Sequence, residues 1–397
     1  MPIYLILCLA VKLVKSKYSV NTQSLRSNPY LLFLMSSHKS PSFFNQAPQF
    51  WERRGPISLL LWPLSWIYGL INRGLNLIED LDLRKRKTQA VPIIIVGNIR
   101  VGGTGKTPIV IGLAEQLARM GWRPGIISRG YGANTLSTPL QVKSDSNPLE
   151  VGDEPVLIAK RTHNQFPIWV HPKRVHSIAL LLKNNPEVNV IISDDGLQHR
   201  KLVRWPAREG GRDIELVVRD PRGEGNGFLL PAGPLREAGT RDRDATLMTG
   251  IKNSPNHIDE YFLGRRAFTL NSQLGTPYQL VNPSNTQSLT TIADTYLPNK
   301  MTAVAAIGNP QRFFGDLLAS GIAAKTIGLP DHSTFTPEFF GAINAECILI
   351  TEKDAVKCAL INDERIWVVP MHLEIPNTFA DWLQSILQRP NPNQYTL

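Results

Sequence analysis

The chain has 397 residues, 42% of them hydrophobic, and a formal net charge of +10 at pH 7. That length buries a large core and suggests two domains with appendages, and the excess of cations favours acidic partners: nucleic acid, anionic lipid or phosphorylated small molecules. Cys8, Cys347 and Cys358 have no metal-ligand spacing and are too few for a disulfide framework, which fits a reducing, cytoplasmic setting. No helix-turn-helix, zinc-finger or aromatic RNA-binding signature is present, so nucleic acid ranks last.

Residues 1–50 read as an irregular extension. Within it, 3–14 (IYLILCLAVKLV) is apolar but too short to span a bilayer, and no convincing cleavage site follows. One reading is a signal-peptide core; the other is a true start downstream, near Met35. Residues 51–88 form the next unit. From Gly55 to Asn72 no residue is charged, and ISLLLWPLSWIYGLI has Pro63 in its middle. Arg53, Arg54, Arg73 and the basic run 84–87 flank it. A helix kinked at Pro63 and lying in the membrane interface would place Trp62, Trp66 and Tyr68 at the headgroup boundary and the cations on anionic lipid. The alternative is an ordinary buried helix of a soluble domain.

Residues 89–250 read as a nucleotide-binding core. Ile93 to Val96 is a buried strand, a glycine-rich turn follows, and Pro108 to Met120 is an amphipathic helix. With Gly105, Lys106 and Thr107 at the junction, this is a phosphate cradle: backbone N–H groups face the phosphates, Lys106 reaches the β/γ oxygens and the Thr107 hydroxyl suits Mg²⁺. Gly102, Gly103 and Gly105 let the backbone approach that closely. The consensus wants glycine where Arg100 stands, and the alternative is a plain glycine-rich turn with an exposed lysine.

Further along, 123–128 is a strand, 136–151 is loop-like, and a helix opens at Asp153 and Glu154 with its carboxylates on the helix dipole. Ile168 to Val170 is a strand and Arg174 to Lys183 a helix. The strand 188–193 ends in Asp194 and Asp195, a Walker-B arrangement in which a carboxylate holds Mg²⁺; a capping role is the alternative. Ile214 to Val218 is a strand, and 220–241 is a long loop of the kind that is usually functional. The alternation implies an α/β fold with a parallel sheet and helices on both faces. Residues 251–300 are polar and proline-bearing and read as a linker, in which Phe268 to Leu270 and Tyr278 to Val281 could form short strands. From 301 to 397 a smaller α/β domain is expected, with strands at 302–307, 348–351 and 366–369, a helix at 310–319, and His332 in a loop before a helix opening at Thr336.

Taken together the motifs resemble one family, tetraacyldisaccharide 4′-kinase, the lipid A 4′-kinase. The matching runs are PQFWERRGPISLLLWPLSWIYG (48–69), VGNIRVGGTGKTP (96–108), ISRGYG (127–132), GDEP (152–155), DDGLQH (194–199), GNGFLLPAGPLRE (225–237), AIGNPQRFF ending at Phe314, DHSTF (331–335) and TEKDAVK (351–357). They stand in the family's order from about residue 48 to the C-terminus. The resemblance implies a P-loop NTPase-like core and transfer of the γ-phosphate of ATP to the 4′-hydroxyl of an acylated disaccharide 1-phosphate at the cytoplasmic face of the inner membrane. It implies ATP bound by Gly102, Gly103, Thr104, Gly105, Lys106 and Thr107, and Mg²⁺ at Thr107, with Asp194 and Asp195 binding Mg²⁺ or orienting the catalytic pair. It pairs Asp153 with His332 as a catalytic dyad assembled by domain closure, and puts Gln198, His199, Arg236 and Glu237 on the site's lining. The chain departs from the family at Glu224, at Ala238, after His199, and in an apparent insertion at 205–211 near the acceptor loops. Two rival readings are another small-molecule kinase or ligase of the superfamily and a membrane-associated ATPase switch. Such a switch often has lysine before the two glycines, where this chain has Val101.

Overall fold

A computed structural model describes residues 49–83, 89–130, 137–199, 201–250, 260–262 and 264–390. The apolar run at 3–14, Met35 and the basic cluster at 84–87 lie outside the described residues.

The Leu/Trp segment is a single helix, α1 (Pro56–Leu83), with Pro63 inside it. Proline costs that helix one N–H bond without ending it. The buried line of α1 is its serine line. Ser58 and Ser65 are buried, with hydroxyls donating to Phe50 O at 2.8 Å and Leu229 O at 2.7 Å. Leu59, Leu60, Trp62, Trp66, Ile67 and Leu70 face outward instead, Leu60 at 78% exposure. Among the described residues no helix is long and apolar enough to cross a membrane.

The core starts at β1 (Ile93–Gly97), which is buried throughout. Its side chains alternate: Ile94 and Val96 enter one apolar cluster, Ile93 and Ile95 the cluster on the opposite face. Burial on both faces is what a central parallel strand requires. The chain continues through α2 (Lys106–Arg119), β2 (Pro124–Ser128), β3 (Leu140–Val142), α3 (Pro148–Val151), α4 (Asp153–Arg161), β4 (Ile168–Val170), α5 (Arg174–Asn184), β5 (Val190–Asp194), β6 (Ile214–Arg219) and β7 (Ala245–Thr249). Next come β8 (Glu260–Phe262), β9 (Arg265–Leu274), β10 (Tyr278–Gln279), α6 (Leu289–Thr295), β11 (Met301–Ala305), α7 (Pro310–Ala319) and β12 (Lys325–Gly328). The last elements are α8 (Pro337–Gly341), β13 (Cys347–Thr351), α9 (Glu352–Val356), β14 (Ile366–Val369), β15 (Met371–Glu374) and α10 (Asn377–Leu387).

The large sheet runs β15-β9-β7-β6-β1-β5-β2-β4-β3, with β8 on β9. It is mixed, not purely parallel. The strands from β9 to β4 are parallel, while β3, β8 and β15 pair antiparallel at its margins. Helices cover both faces: α2, α4 and α10 pack on one, α5 on the other. A second sheet runs β10-β14-β13-β11-β12.

Three sequence expectations change. Residues 251–300 are not a linker: β9 belongs to the large sheet, and β10 pairs with β14 of the small one. The half-exposed face of β9 explains its polar composition. The C-terminal unit does not run to the end of the chain, because β15 pairs with β9 and α10 buries Phe379, Leu383 and Leu387 in the large core. Third, residues 136–151 carry β3 and α3, too short to show a periodicity.

The segment 205–211 also falls elsewhere than expected. Asp213 accepts from Trp205 N at 2.7 Å and Ile93 N at 2.8 Å, tying the segment to the start of β1. That is the end of the strand opposite the glycine-rich loop, so this segment does not sit with the acceptor loops.

Candidate active site

At the C-terminal end of β1 the chain turns through Asn98 to Gly105 into α2. Gly102 (φ 107°) and Gly105 (φ 76°) hold left-handed conformations that a side chain would strain. Asn98 is fully buried and organises the turn. Its amide donates to Arg100 O at 2.6 Å and Gly102 O at 3.3 Å, and its oxygen accepts from Lys106 Nζ at 3.3 Å. Gln198 supports the same corner, donating to Asn98 O at 3.1 Å.

Arg100, in the consensus glycine position, points away from the cradle. Its guanidinium pairs with Glu52 and donates to Arg222 O at 3.2 Å. Arg222 in turn donates to Gly103 O at 2.7 Å while paired with Asp220. The back of the loop is therefore fastened to the turn after β6, and glycine is not needed there.

Next to this loop β5 ends in the two aspartates. Asp194 is buried, and Ser128 Oγ donates to its Oδ2 at 3.4 Å. Asp195 adopts φ 50°, a conformation uncommon outside glycine and recurrent at functional sites. Its carboxylate lies 3.4 Å from Lys106 Nζ and 3.5 Å from Arg236. Arg174, fully buried on α5, donates to the backbone oxygens of both aspartates. Burial pushes Asp194 up, with Glu154 adding to it. Burial also works against the charge of Asp195, but Lys106, Arg236 and Arg174 outweigh it and hold that carboxyl down. Oδ1 of Asp194 is buried without a hydrogen-bond partner, whereas Oδ1 of Asp195 is the oxygen that faces Lys106 Nζ. Asp194, Asp195 and the Thr107 hydroxyl offer oxygen donors only, the kind Mg²⁺ prefers, and phosphate oxygens and water would complete its coordination. Among the described residues no group of three or more His, Cys, Asp or Glu side chains is gathered for a metal.

The second part of the site spans both sheets. Asp153 is the first residue of α4, where the helix dipole favours a carboxylate. Its Oδ1 accepts from Glu154 N at 2.9 Å and its Oδ2 lies 3.0 Å from His332 Nδ1. His332 comes from the loop between β12 and α8 and holds φ 61°, a strain of about 1–3 kcal/mol for a non-glycine residue. Burial opposes the charge of Asp153, yet the His332 hydrogen bond and the Lys353 ammonium hold its carboxyl at about 2. Burial likewise opposes a charged His332, but Asp153 and Asp331 carry it above its usual 6.5.

The two parts touch at glycines. A Cβ on Gly308, in the turn after β11, would lie 2.2 Å from Gly103 N. Arg312, in the first turn of α7, reaches Thr249 Oγ1 at 3.3 Å and Ser272 Oγ at 2.8 Å beside Gly105. The smaller sheet's unit thus sits directly against the phosphate loop.

Of the remaining expected lining residues, Glu237 is engaged by Arg241 at 3.0 Å. His199 lies among cations: burial and then Arg174 push it down to about 4. Asn98, Arg174, Lys353 and Gly308 escaped the sequence reading as site residues. Lys353 and Gly308 stand in runs that carry the resemblance, TEKDAVK and AIGNPQRFF; Arg174 opens a helix like any other and gave no signal.

The tetraacyldisaccharide-1-P 4′-kinase family matches residues 57–388. A tetraacyldisaccharide 4′-kinase of Polynucleobacter necessarius subsp. necessarius is 71% identical over 363 residues, covering 90% of this chain and 99% of the relative. One from Herminiimonas arsenicoxydans is 44% identical over 339 residues, covering 83% and 92%. A crystal structure described as an "apo" form of LpxK from Aquifex aeolicus in complex with ATP is 28% identical, with a TM-score of 0.64 over 83% of this chain and 99% of that one. With a family match across most of its length and relatives this similar, the chain belongs to the tetraacyldisaccharide 4′-kinase family.

Proposed function

We propose that this protein transfers the γ-phosphoryl group of ATP to the 4′-hydroxyl of tetraacyldisaccharide 1-phosphate, releasing ADP. Beyond the family match, one observation supports the chemistry most directly: the carboxyl group of Asp153 lies 3.0 Å from a histidine contributed by the other sheet. A sugar hydroxyl is a poor nucleophile until a positioned base takes its proton.

In this reading the amides of Gly102 to Gly105 and the start of α2 hold the phosphates, with Lys106 against their outer oxygens. The acceptor oxygen bonds to the γ-phosphorus as the bridging bond to the β-phosphate breaks, and its proton passes to Asp153. His332 orients that carboxylate. Lys106 and Arg236 neutralise charge on the transferring group, and the unit carrying Gly308 and Arg312 covers the loop and limits water. Thr107, Asp194 and Asp195 would hold Mg²⁺, which when bound offsets phosphate charge.

We further place the enzyme on the cytoplasmic face of the inner membrane. Helix α1 supports this reading with a serine face turned inward and an apolar face turned out, where Trp62 and Trp66 stand beside Leu59, Leu60 and Leu70. Exposed apolar patches of this kind fit an interface. The acceptor's acyl chains stay in the bilayer, so the site must come to them. α1 also touches the site loop, for Tyr68 donates to Arg236 O at 3.2 Å.

The test is transfer of labelled γ-phosphate from ATP to tetraacyldisaccharide 1-phosphate in detergent micelles. Label in the lipid, dependent on acceptor, is expected. ATP hydrolysis at the same rate without acceptor, and no labelled lipid, would sink the assignment.

A further inference from the structure

The run 351–357 carries the family resemblance, yet the chemistry above gives it no task. Its lysine occupies a particular place. Lys353, on α9, has a side chain only 14% exposed, and its ammonium lies 2.9 Å from Glu154 Oε1, 3.3 Å from Asp331 Oδ1 and 4.0 Å from Asp153 Oδ2. Two of these carboxylates begin α4 on the large sheet, and the third immediately precedes His332.

We propose that Lys353 is the positioning residue of the Asp153–His332 pair, its ammonium joining the carboxylates on either side so that base and histidine meet in one geometry. The inference rests on the functional reading above and adds a residue to it.

Three considerations carry it. First, three carboxylates would repel one another in this half-buried corner, and a like-charge cluster opens unless a cation sits within it. Lys353 is placed to do that, since the next cation along, Lys357, is held by Asp354 Oδ1 at 2.7 Å and by Ala306 O at 3.3 Å. Second, the connection is bonded at both ends. Asp331 Oδ1, which faces Lys353, also accepts from His332 N at 3.0 Å and so fixes the left-handed residue that aims the ring. Third, α9 is itself pinned. Glu352 receives Arg161, from the far end of α4, at 2.6 Å, so Lys353 approaches α4 from a rigid support. A strained histidine persists only where its surroundings over-determine it, and Lys353 with Asp331 supplies that.

The groups facing the pair are Asp331 beside His332 and Lys353 with Lys357 from α9 and its end, and Glu154 on α4 joins them through Lys353. Removing the Lys353 charge therefore raises the proton affinity of both members. Asp153 loses a cation that holds it down, and His332 loses one that opposes its protonation.

The experiment uses the full chain with Lys353→Met and Lys353→Arg. It measures kcat and KM for ATP across the acid and neutral range, and follows the His332 ring by NMR titration. For Lys353→Met the expected result is a fall in kcat of about 100-fold, within the range of a displaced general base, with little change in KM. The acid limb of kcat and the His332 titration both move to higher pH, and Lys353→Arg restores both positions while recovering part of kcat. A loss of activity and thermal stability with both titrations unmoved would overturn the proposal, leaving Lys353 a structural cation. If Lys353→Met does not fold, Lys353→Arg alone decides: the charge is kept but the compact head is not, so kcat falls about tenfold with an unmoved acid limb. Wild-type kcat in that variant contradicts positioning. Absence of lipid transfer by the wild type overturns the functional reading, and the His332 titration still decides whether Lys353 controls the pair.

Discussion

The phosphate loop comes from one continuous segment, β1 to α2, whose backbone is laid bare by Gly102, Gly103 and Gly105. The Asp153–His332 pair instead joins residues 179 positions apart, from units built on different sheets. In the first region, glycines remove side chains so that the backbone itself can act, and Asn98 ties the turn internally. In the second, side chains do the work, and His332 adopts a conformation that L-residues rarely hold. The difference implies that binding of ATP and transfer from it are separable. A defect in the loop weakens both, whereas a defect in the pair, or in what aligns it, spares binding.

Substitutions on each side should reveal that separation most strongly. Lys106→Ala is expected to lower kcat/KM for ATP by about 10³ through both constants. His332→Ala is expected to lower kcat by about 10² and leave KM for ATP nearly unchanged. Steady-state transfer assays read both, and an equal rise in KM for the two variants would contradict the division.

Effects at the membrane side come next. Replacing Leu60 and Trp66 by glutamate removes two outward apolar side chains, each worth about 1.5–3 kcal/mol when buried. Sedimentation with anionic vesicles should show binding reduced by at least tenfold, while ATP affinity in detergent holds. Undiminished vesicle binding would detach α1 from the membrane.

The contact between the regions can be tested with Gly308→Ala. The added Cβ meets backbone rather than a flexible side chain, and forced overpacking costs about 1–3 kcal/mol. A raised KM for ATP together with a lower Tm is expected. Unchanged values would show that the turn after β11 does not rest on the phosphate loop in solution.

Smaller effects concern pH and the serine face. His332 has a folded pKa above 6.5, so its contribution to stability is complete below that value and is lost as pH rises through the folded one. Asp153 is held at about 2, so its contribution is present above 3.8 and lost as pH falls toward 2. The stability difference between wild type and His332→Ala should therefore be largest between 3.8 and 6.5 and shrink in alkali. Thermal unfolding across pH checks the sign. Ser65→Ala removes a hydroxyl that donates to Leu229 O and accepts from Ala232 N, a loss of about 1–3 kcal/mol, read as a lower Tm.

Sequence legibility followed the same division. The apolar run at β1 and the glycines after it are read locally: the strand runs one residue further, to Gly97, and the helix spans Lys106 to Arg119 where Pro108 to Met120 is expected, starting directly after left-handed Gly105. The helix at Pro310 to Ala319 and the strand at Ile366 to Val369 also coincide with the reading. Within the half-polar β9 only Phe268 to Leu270 is legible as a strand, because the partner decides the face of the rest. The return of β15 and α10 to the large sheet was hidden because nothing in Met371 to Leu387 names its neighbour. Lys353 carries no local signal of a site residue for the same reason: its three carboxylates are distant in sequence, and only the fold gathers them. The pairing of Asp153 with His332 came from the family resemblance, not from spacing.

The most direct test of the account measures ATP affinity and single-turnover transfer on the same preparation of Asp153→Ala. An ATP affinity within a few-fold of wild type is expected, with transfer to the acylated disaccharide slowed by about 10²–10⁴. Transfer at the wild-type rate, or a loss explained entirely by failure to bind ATP, would contradict it.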